Sequence, residues 1–202
     1  MRRLIAILAA ALIAPIAANA APPIQSGSYN DAMLIGYDPA TGVVSGYFDM
    51  QQGGTPSFSC VFYLSGKLAG GKAAIATYFP KSPKGDLIKG VLALTDSTHF
   101  SIGLADEHGG CGNLEPFAQT GDPATFDLAT AHAWTSVAVV KSARAYFYAS
   151  PGAAAHGKAY VVEGDGLGVR ASKPGWLQVD YVDGAKPITG WLPTSDVFSP
   201  LP

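Results

Sequence analysis

Two cysteines and a histidine are the most reactive side chains that this sequence offers. Cys60 and Cys111 are its only cysteines, and His99 lies between them. A cysteine hydrolase needs a thiolate beside an imidazole that takes its proton, whereas paired cysteines in an oxidising compartment form a disulfide. A Cys60–Cys111 bridge closes a loop of about 50 residues, worth roughly 3–4 kcal/mol in the chain-entropy treatment. We predict the disulfide and keep the hydrolase as the alternative.

The residues around His99 partly fit that alternative. Gly85-Asp86-Leu87, followed by a strand-like segment from His99 to Leu104, resembles the second half of an NlpC/P60 peptidoglycan peptidase, in which this strand bears the catalytic histidine. Such a nucleophile opens a helix, where the helix dipole lowers the pKa of the thiol. Cys60 instead lies among aromatic and β-branched residues that predict a buried strand. We therefore predict no catalytic residues, and a cysteine peptidase using Cys60 and His99 remains the second interpretation.

A short loop also carries metal-ligating residue types. Asp106, Glu107, His108 and Cys111 are closely spaced, and zinc uses nitrogen, oxygen and sulfur ligands of these kinds. The spacing matches no standard zinc site, however, and the second half of a ligand set is missing. The glycines around Cys111 are typical of a turn. We predict no metal and no cofactor.

Short β-strands are the elements that must position these residues. Helical periodicity is nearly absent beyond residue 20, and apolar alternating runs are separated by turn signals at intervals of about ten residues, as in a barrel or sandwich. Asp38-Pro39-Ala40-Thr41-Gly42 predicts a hairpin turn. We predict an all-β fold in which seven or eight antiparallel strands close a barrel over residues 24–130. The predicted strands are Ala32–Tyr37, Val43–Asp49, Phe58–Leu64, Ala73–Phe79, Leu87–Thr95, His99–Ala105 and Phe126–Ala129.

A second strand pattern covers residues 137–199. An aromatic pair, Tyr146 and Tyr148, precedes a Pro-Gly turn; an apolar run ends in Gly164-Asp165; and two strands begin with Gly-Trp, at Trp176 and Trp191. In this order the segments resemble a bacterial SH3 (SH3b) domain. The resemblance implies a five-stranded, half-open barrel that binds cell-wall peptide or protein and usually lacks catalysis. The predicted architecture is thus an antiparallel barrel followed by a small SH3-like barrel.

Four aromatic residues of this second domain form the predicted ligand-binding site: Tyr146, Tyr148, Trp176 and Trp191. Leu177, Val179 and Tyr181 alternate with Trp176 along one strand, so one set faces the core and Trp176 lies on the other face. Tryptophan and tyrosine that line a groove bind ligands through a large apolar area. The alternative is that Trp176 and Trp191 cap the ends of the barrel.

The first 20 residues predict a cleavable signal peptide. Arg2 and Arg3 give a positive start, Leu4–Ala18 is apolar, and Ala18-Asn19-Ala20 supplies the small residues that a signal peptidase reads. The apolar run of about 15 residues is shorter than the about 20 that span a bilayer. We therefore expect a periplasmic or secreted protein with no membrane span after cleavage.

Charge argues against nucleic acid as a partner. The chain has 13 Lys and Arg against 15 Asp and Glu, and cleavage removes Arg2 and Arg3, whereas nucleic-acid binding depends on clustered cations. We expect a non-enzymatic envelope protein that binds peptidoglycan, other cell-wall material or an envelope protein through its SH3b-like domain. Two roles stay open for the first domain: binding a small ligand in the barrel mouth, or inhibiting an enzyme.

Overall fold

The computed structural model describes residues 23–30, 32–55, 57–82, 85, 87–183 and 186–198. The predicted signal peptide, residues 1–20, lies outside the described residues. Among the residues that are described, no helix is long and apolar enough to cross a bilayer.

The amino-terminal half is the predicted antiparallel barrel, closed by eight strands in sequential order. Its strands are β1 (Gly27–Tyr29), β2 (Met33–Asp38), β3 (Val43–Gln52), β4 (Phe58–Ala69), β5 (Lys72–Tyr78), β6 (Ile88–Leu94), β7 (His99–Leu104) and β8 (Ala124–Ala131). The hairpin turn at Asp38 is also confirmed. The Asp38 carboxylate accepts hydrogen bonds from Ala40 N and Thr41 Oγ1, and Gly42 takes a positive φ of 74°.

The barrel interior is filled by alternate residues of each strand. On β4 these are Cys60, Phe62 and Leu64, all fully buried. Phe62 packs against Phe48 of β3 at 5.3 Å and edge-on against Phe117 at 4.9 Å, both between ring centroids. Such clustered aromatic rings contribute beyond their buried area. The interior is therefore a packed core in which five phenylalanines cluster among aliphatic side chains.

The carboxy-terminal half is an antiparallel sheet that does not close into a barrel. Its order is β14-β13-β12-β9, and a separate pair, β10-β11, lies beside it. An isolated bridge from Tyr148 to Trp191 joins this pair to β14, and a second, from Val140 to Val197, links the residues that follow β9 and β14. The all-β class is confirmed, and an open four-stranded sheet takes the place of the predicted small barrel. The strands are β9 (Ser136–Val139), β10 (Ala145–Tyr146), β11 (Tyr160–Val161), β12 (Gly166–Lys173), β13 (Trp176–Tyr181) and β14 (Ile188–Pro193), with 3-10 turns at Cys111–Asn113 and Thr194–Asp196.

The two halves share a buried interface on the outer wall of the barrel. Cross-strand register aligns Tyr47, Tyr63 and Tyr78 on β3, β4 and β5, and this tyrosine ladder packs against Val137 and Val139 of β9. The Tyr63 hydroxyl donates to the Val137 carbonyl at 2.9 Å, and the Tyr47 hydroxyl donates to the carbonyl of Gly164 at 2.9 Å. The sheet is thus attached to the barrel by apolar packing and by directed hydrogen bonds.

Close backbone approach makes this interface possible. A Cβ at Gly36 of β2 would lie 2.4 Å from the backbone of Ser136, the first residue of β9. No side chain fits at that distance, so glycine is required where β9 crosses the barrel. The Ser45 hydroxyl accepts a hydrogen bond from Val137 N at 3.0 Å in the same region.

Candidate functional site

Two of the predicted aromatic residues, Trp176 and Trp191, lie on neighbouring strands of the carboxy-terminal sheet. On β13, Leu177, Val179 and Tyr181 pack into the core of this sheet, as predicted. Trp176 is therefore on the opposite face, because side chains alternate along a strand. Gln178, two residues on, pairs directly with Trp191 of β14. Trp176 and Trp191 are consequently diagonal neighbours on one face, and both are half-buried.

Backbone hydrogen bonds bring Tyr148 to this face. Tyr148 N donates to Trp191 O, and Trp191 N donates to Tyr148 O, each at 2.9 Å. The Tyr148 ring then meets the Trp176 ring edge-on, with 5.1 Å between centroids. Three of the four predicted site residues are thus brought together by one bridge between distant segments.

A surface loop supplies a ring that sequence reasoning missed. The chain turns back after Ser150-Pro151-Gly152, and Gly157 N donates to Phe147 O at 2.7 Å. This closure places His156 against Tyr146, with stacked rings 4.1 Å apart, and edge-on to Tyr148 at 5.9 Å. His156 therefore links the fourth predicted residue, Tyr146, to the other three. No periodic pattern marks a residue whose position depends on a loop closing.

Tyr160 of β11 extends the rings at the other end. It pairs with Tyr146 in register, their centroids are 5.6 Å apart, and 43% of Tyr160 is exposed. Five rings, from Tyr160 to Trp176, form a continuous series of contacts, and Trp191 joins them through its backbone bridge to Tyr148. We call this partly exposed surface the aromatic row. Its members are Tyr146, Tyr148, His156, Tyr160, Trp176 and Trp191.

A cation lies over the ring at each end of the aromatic row. The Arg144 guanidinium carbon is 4.8 Å from the Tyr160 ring centroid, and Lys173 Nζ is 5.2 Å from that of Trp191. Both distances are within the range of cation–π attraction. Neither cation was singled out from the sequence, because their neighbours come from other strands.

A buried carboxylate fixes the far end of the same sheet face. Asp180 is 3% exposed, and its carboxylate accepts hydrogen bonds from Trp134 Nε1 at 2.9 Å and Thr189 Oγ1 at 2.6 Å. Burial raises the pKa of Asp180, but the hydrogen bonds from Thr189 and Trp134 and the charge of Arg170 outweigh it, so the pKa lies below its usual value. Because the Asp180 carboxylate and the donors that face it all have partners, we assign this hydrogen-bond network a structural role.

An acidic groove of about 680 Å³ lies between the barrel and the sheet. Its walls carry the carboxylates of Asp49, Asp165 and Asp183 beside Tyr47 and Tyr181. Burial, followed by the charges of Asp183 and Asp49, raises the pKa of Asp165 above the usual value for an aspartate. Burial and the charges of Asp165 and Asp183 also raise the pKa of Tyr181 to about 12. The groove therefore holds a concentrated negative potential.

The residues of the alternative peptidase are on different sides of the barrel wall. Cys60 is bonded to Cys111, as predicted, and both are fully buried. The His99 side chain is exposed, and its Nδ1 lies 2.8 Å from Asp96 Oδ2. That hydrogen bond raises the pKa of His99. Cys60 thus has no free thiol, and His99 is held in a surface turn.

The candidate metal loop is likewise accounted for by packing. His108 is buried, its ring stacks on Phe62 at 5.1 Å, and its Nε2 lies 2.7 Å from Thr77 Oγ1. Over the described ranges, no group of three or more His, Cys, Asp or Glu side chains is placed to hold a metal ion.

No family model, curated protein or solved structure matches this chain. Its function is therefore inferred from the geometry of its own residues.

Proposed function

We propose that this chain is an exported, non-enzymatic binding protein whose carboxy-terminal sheet docks onto cell-wall material or an envelope protein through the aromatic row. The observation that carries the proposal is the continuity of these rings, each within 6 Å of a neighbour from Tyr160 to Trp176. Aromatic residues dominate binding energetics because they bury a large area with few rotatable bonds.

Exposure supports a docking role for these rings. Interior phenylalanines of the barrel are buried, whereas every member of the aromatic row is half-buried or exposed. Rings that served only the core of the sheet would face Val179 and Leu192, which are fully buried. The SH3b resemblance adds that domains of this kind bind cell-wall peptide or protein.

The proposed location outside the cytoplasm rests on two observations. The disulfide is typical of proteins that fold in an oxidising compartment, and the first 20 residues have the pattern of a signal peptide. We propose the periplasm or the extracellular medium. Expression of the full chain in a bacterium should yield a mature form that starts at Ala21, which mass spectrometry detects.

Cosedimentation tests the docking surface. The mature chain is mixed with purified peptidoglycan, and separately passed over immobilised envelope proteins, beside its Trp176→Ala variant. We expect the mature chain to be retained in one arm, and the variant to bind at least about tenfold more weakly, as for a buried aromatic hot spot. Val91→Ala is the matched control, because Val91 is 49% exposed on the barrel wall.

Retention that is equal for the mature chain, Trp176→Ala and Val91→Ala contradicts the proposal. So does the absence of retention in both arms. Circular dichroism of each variant confirms that the sheet is folded, which separates a lost contact from a lost fold.

A further inference from the structure

The two cations beside the aromatic row have no carboxylate partner within the described part of the chain. The ion pairs found there are Lys81–Glu163, His99–Asp96, His99–Asp127 and Arg170–Asp180. Arg144 and Lys173 are both exposed, and each lies over a ring face; the Arg144 guanidinium also donates a hydrogen bond to the Tyr146 side chain. Their charge is therefore available to a ligand lying on the rings.

The carboxylates of the carboxy-terminal sheet have other partners or other positions. Two line the acidic groove, two are in ion pairs, and one accepts a hydrogen bond from a serine. In that order they are Asp165 and Asp183, Glu163 and Asp180, and Asp196 with Ser142. The sheet is thus polarised, with negative potential at the groove and unpaired positive charge along the aromatic row. An anionic ligand is steered to the rings and repelled from the groove.

The tilt of the rings favours a peptide over a sugar polymer. The Tyr148 ring stands at 79° to Trp176 and at 80° to His156, and Tyr146 is tilted 56° to Tyr160, whereas Tyr146 and His156 stack at 26°. A sugar ring stacks on a flat aromatic face, but steeply tilted neighbours form ridges and notches. An extended peptide places its side chains in such notches, as in other aromatic-lined peptide grooves.

We propose that the aromatic row binds an extended, carboxylate-bearing peptide, with Arg144 and Lys173 each pairing one carboxylate. This inference rests on the proposed docking function and specifies the partner of the same surface. The rings supply the apolar contact. The two terminal cations supply the preference for acidic sequences and fix the position of the peptide along the aromatic row.

Fluorescence anisotropy of labelled peptides tests the preference directly. The probes are three nonapeptides with the same Pro and Ala positions, carrying Glu, Gln or Lys at the remaining three, and each is titrated with the mature chain at low salt. We expect the Glu peptide to bind about tenfold more tightly than the Gln peptide, and the Lys peptide to bind most weakly. High salt should remove most of the difference between the Glu and Gln peptides, since exposed charges are screened.

Charge-removing variants then locate the effect. Arg144→Gln and Lys173→Gln should each weaken binding of the Glu peptide about two- to fivefold, the range of an exposed ion pair, and leave the Gln peptide unchanged. Lys72→Gln is the matched control, an exposed lysine on β5 of the barrel. Because all three side chains are exposed, these variants keep the fold.

Several outcomes overturn the inference. Equal affinity for the Glu and Gln peptides removes the acidic preference, and an equal effect of Lys72→Gln shows that only net charge matters. Polygalacturonate that binds more tightly than the Glu peptide assigns the surface to an anionic sugar polymer instead. If Trp176→Ala abolishes docking to envelope material while both charge variants bind like the mature chain, the docking function stands and the carboxylate inference fails.

Discussion

Breaking the Cys60–Cys111 bridge provides a quantitative test of how the barrel is stabilised. The two cysteines are separated by 51 residues in sequence. For a closed loop of this length, the chain-entropy expression gives about 14 cal/mol/K, or roughly 4 kcal/mol at 25 °C. With a urea m-value of about 2 kcal/mol/M for a chain of this size, we expect the unfolding midpoint to fall by about 2 M urea. Wild-type protein reduced by a phosphine is compared with oxidised protein, and the Cys60→Ala/Cys111→Ala variant shows the same midpoint with and without reductant.

Two spectroscopic probes make this experiment more informative. All three tryptophans, Trp134, Trp176 and Trp191, lie in the carboxy-terminal half or the segment that leads to it. Their fluorescence therefore reports that half, whereas far-ultraviolet circular dichroism reports both halves. Because the tyrosine ladder couples the halves, we expect both signals to shift together on reduction. Oxidised and reduced midpoints that agree within about 0.3 M urea would refute the loop-closure reasoning, and a dichroism shift without a fluorescence shift would refute the coupling.

Three further substitutions probe polar groups at the interface, in the groove and beneath the sheet. Tyr63→Phe removes the donor to the Val137 carbonyl and should cost about 1–2 kcal/mol in urea unfolding; Tyr37→Phe, a half-buried tyrosine of the barrel, should change the free energy by less than about 0.5 kcal/mol. Asp165→Asn should raise the melting temperature at neutral pH, because a raised folded-state pKa means that the ionised carboxylate destabilises the fold. The gain in melting temperature should vanish as the pH falls below the folded-state pKa of Asp165. A gain that persists in acid contradicts the raised pKa. Asp180→Asn should destabilise the fold by about 1–3 kcal/mol at neutral pH, since an amide donor then faces the donors of Trp134 and Thr189. The folded-state pKa of Asp180 is lowered, so the loss of stability should shrink as acid protonates the wild-type carboxylate. An equal loss at every pH would contradict this.

The barrel was predictable because most of its strands bury one alternate set of side chains. Phe58, Cys60, Phe62 and Leu64 identify β4 and its inward face from spacing alone, and the turn residues at Asp38–Gly42 fix the neighbouring hairpin. The short strand β1, Gly27–Tyr29, was missed because three residues show no periodicity. The eighth strand also extends to Ala131, beyond its predicted end, because its last residues are exposed and carry no apolar signal.

The interface between the halves was missed, although β3 carries a signal for it. Tyr47 adds a large aromatic side chain to the outer face of β3, and every residue from Val44 to Phe48 is buried, which is typical of a strand covered on both sides. Tyr47 therefore indicated that part of the outer barrel wall is covered, but not by which segment. The covering strand, β9, lies about 90 residues away in sequence, and register between distant strands depends on packing that a single sequence does not record.

Only part of the aromatic row could be predicted from the sequence, because the rest depends on tertiary contacts. Tyr146, Tyr148, Trp176 and Trp191 were marked by residue type and by strand alternation. His156, Arg144 and Lys173 join them through a loop closure and through cation–ring contacts. These contacts are tertiary, so spacing along the chain does not predict them.

The shared interface determines whether residues 137–199 can be separated from the barrel as an independent domain. A binding module that is joined by a loose tether can be excised and grafted as a tag, but β9 donates Val137 and Val139 to the barrel wall. Excision leaves those side chains and the tyrosine ladder facing water, which invites aggregation of both fragments. Excision also divides the acidic groove, because Tyr47 and Asp49 line it from the barrel while Asp165 and Tyr181 line it from the sheet.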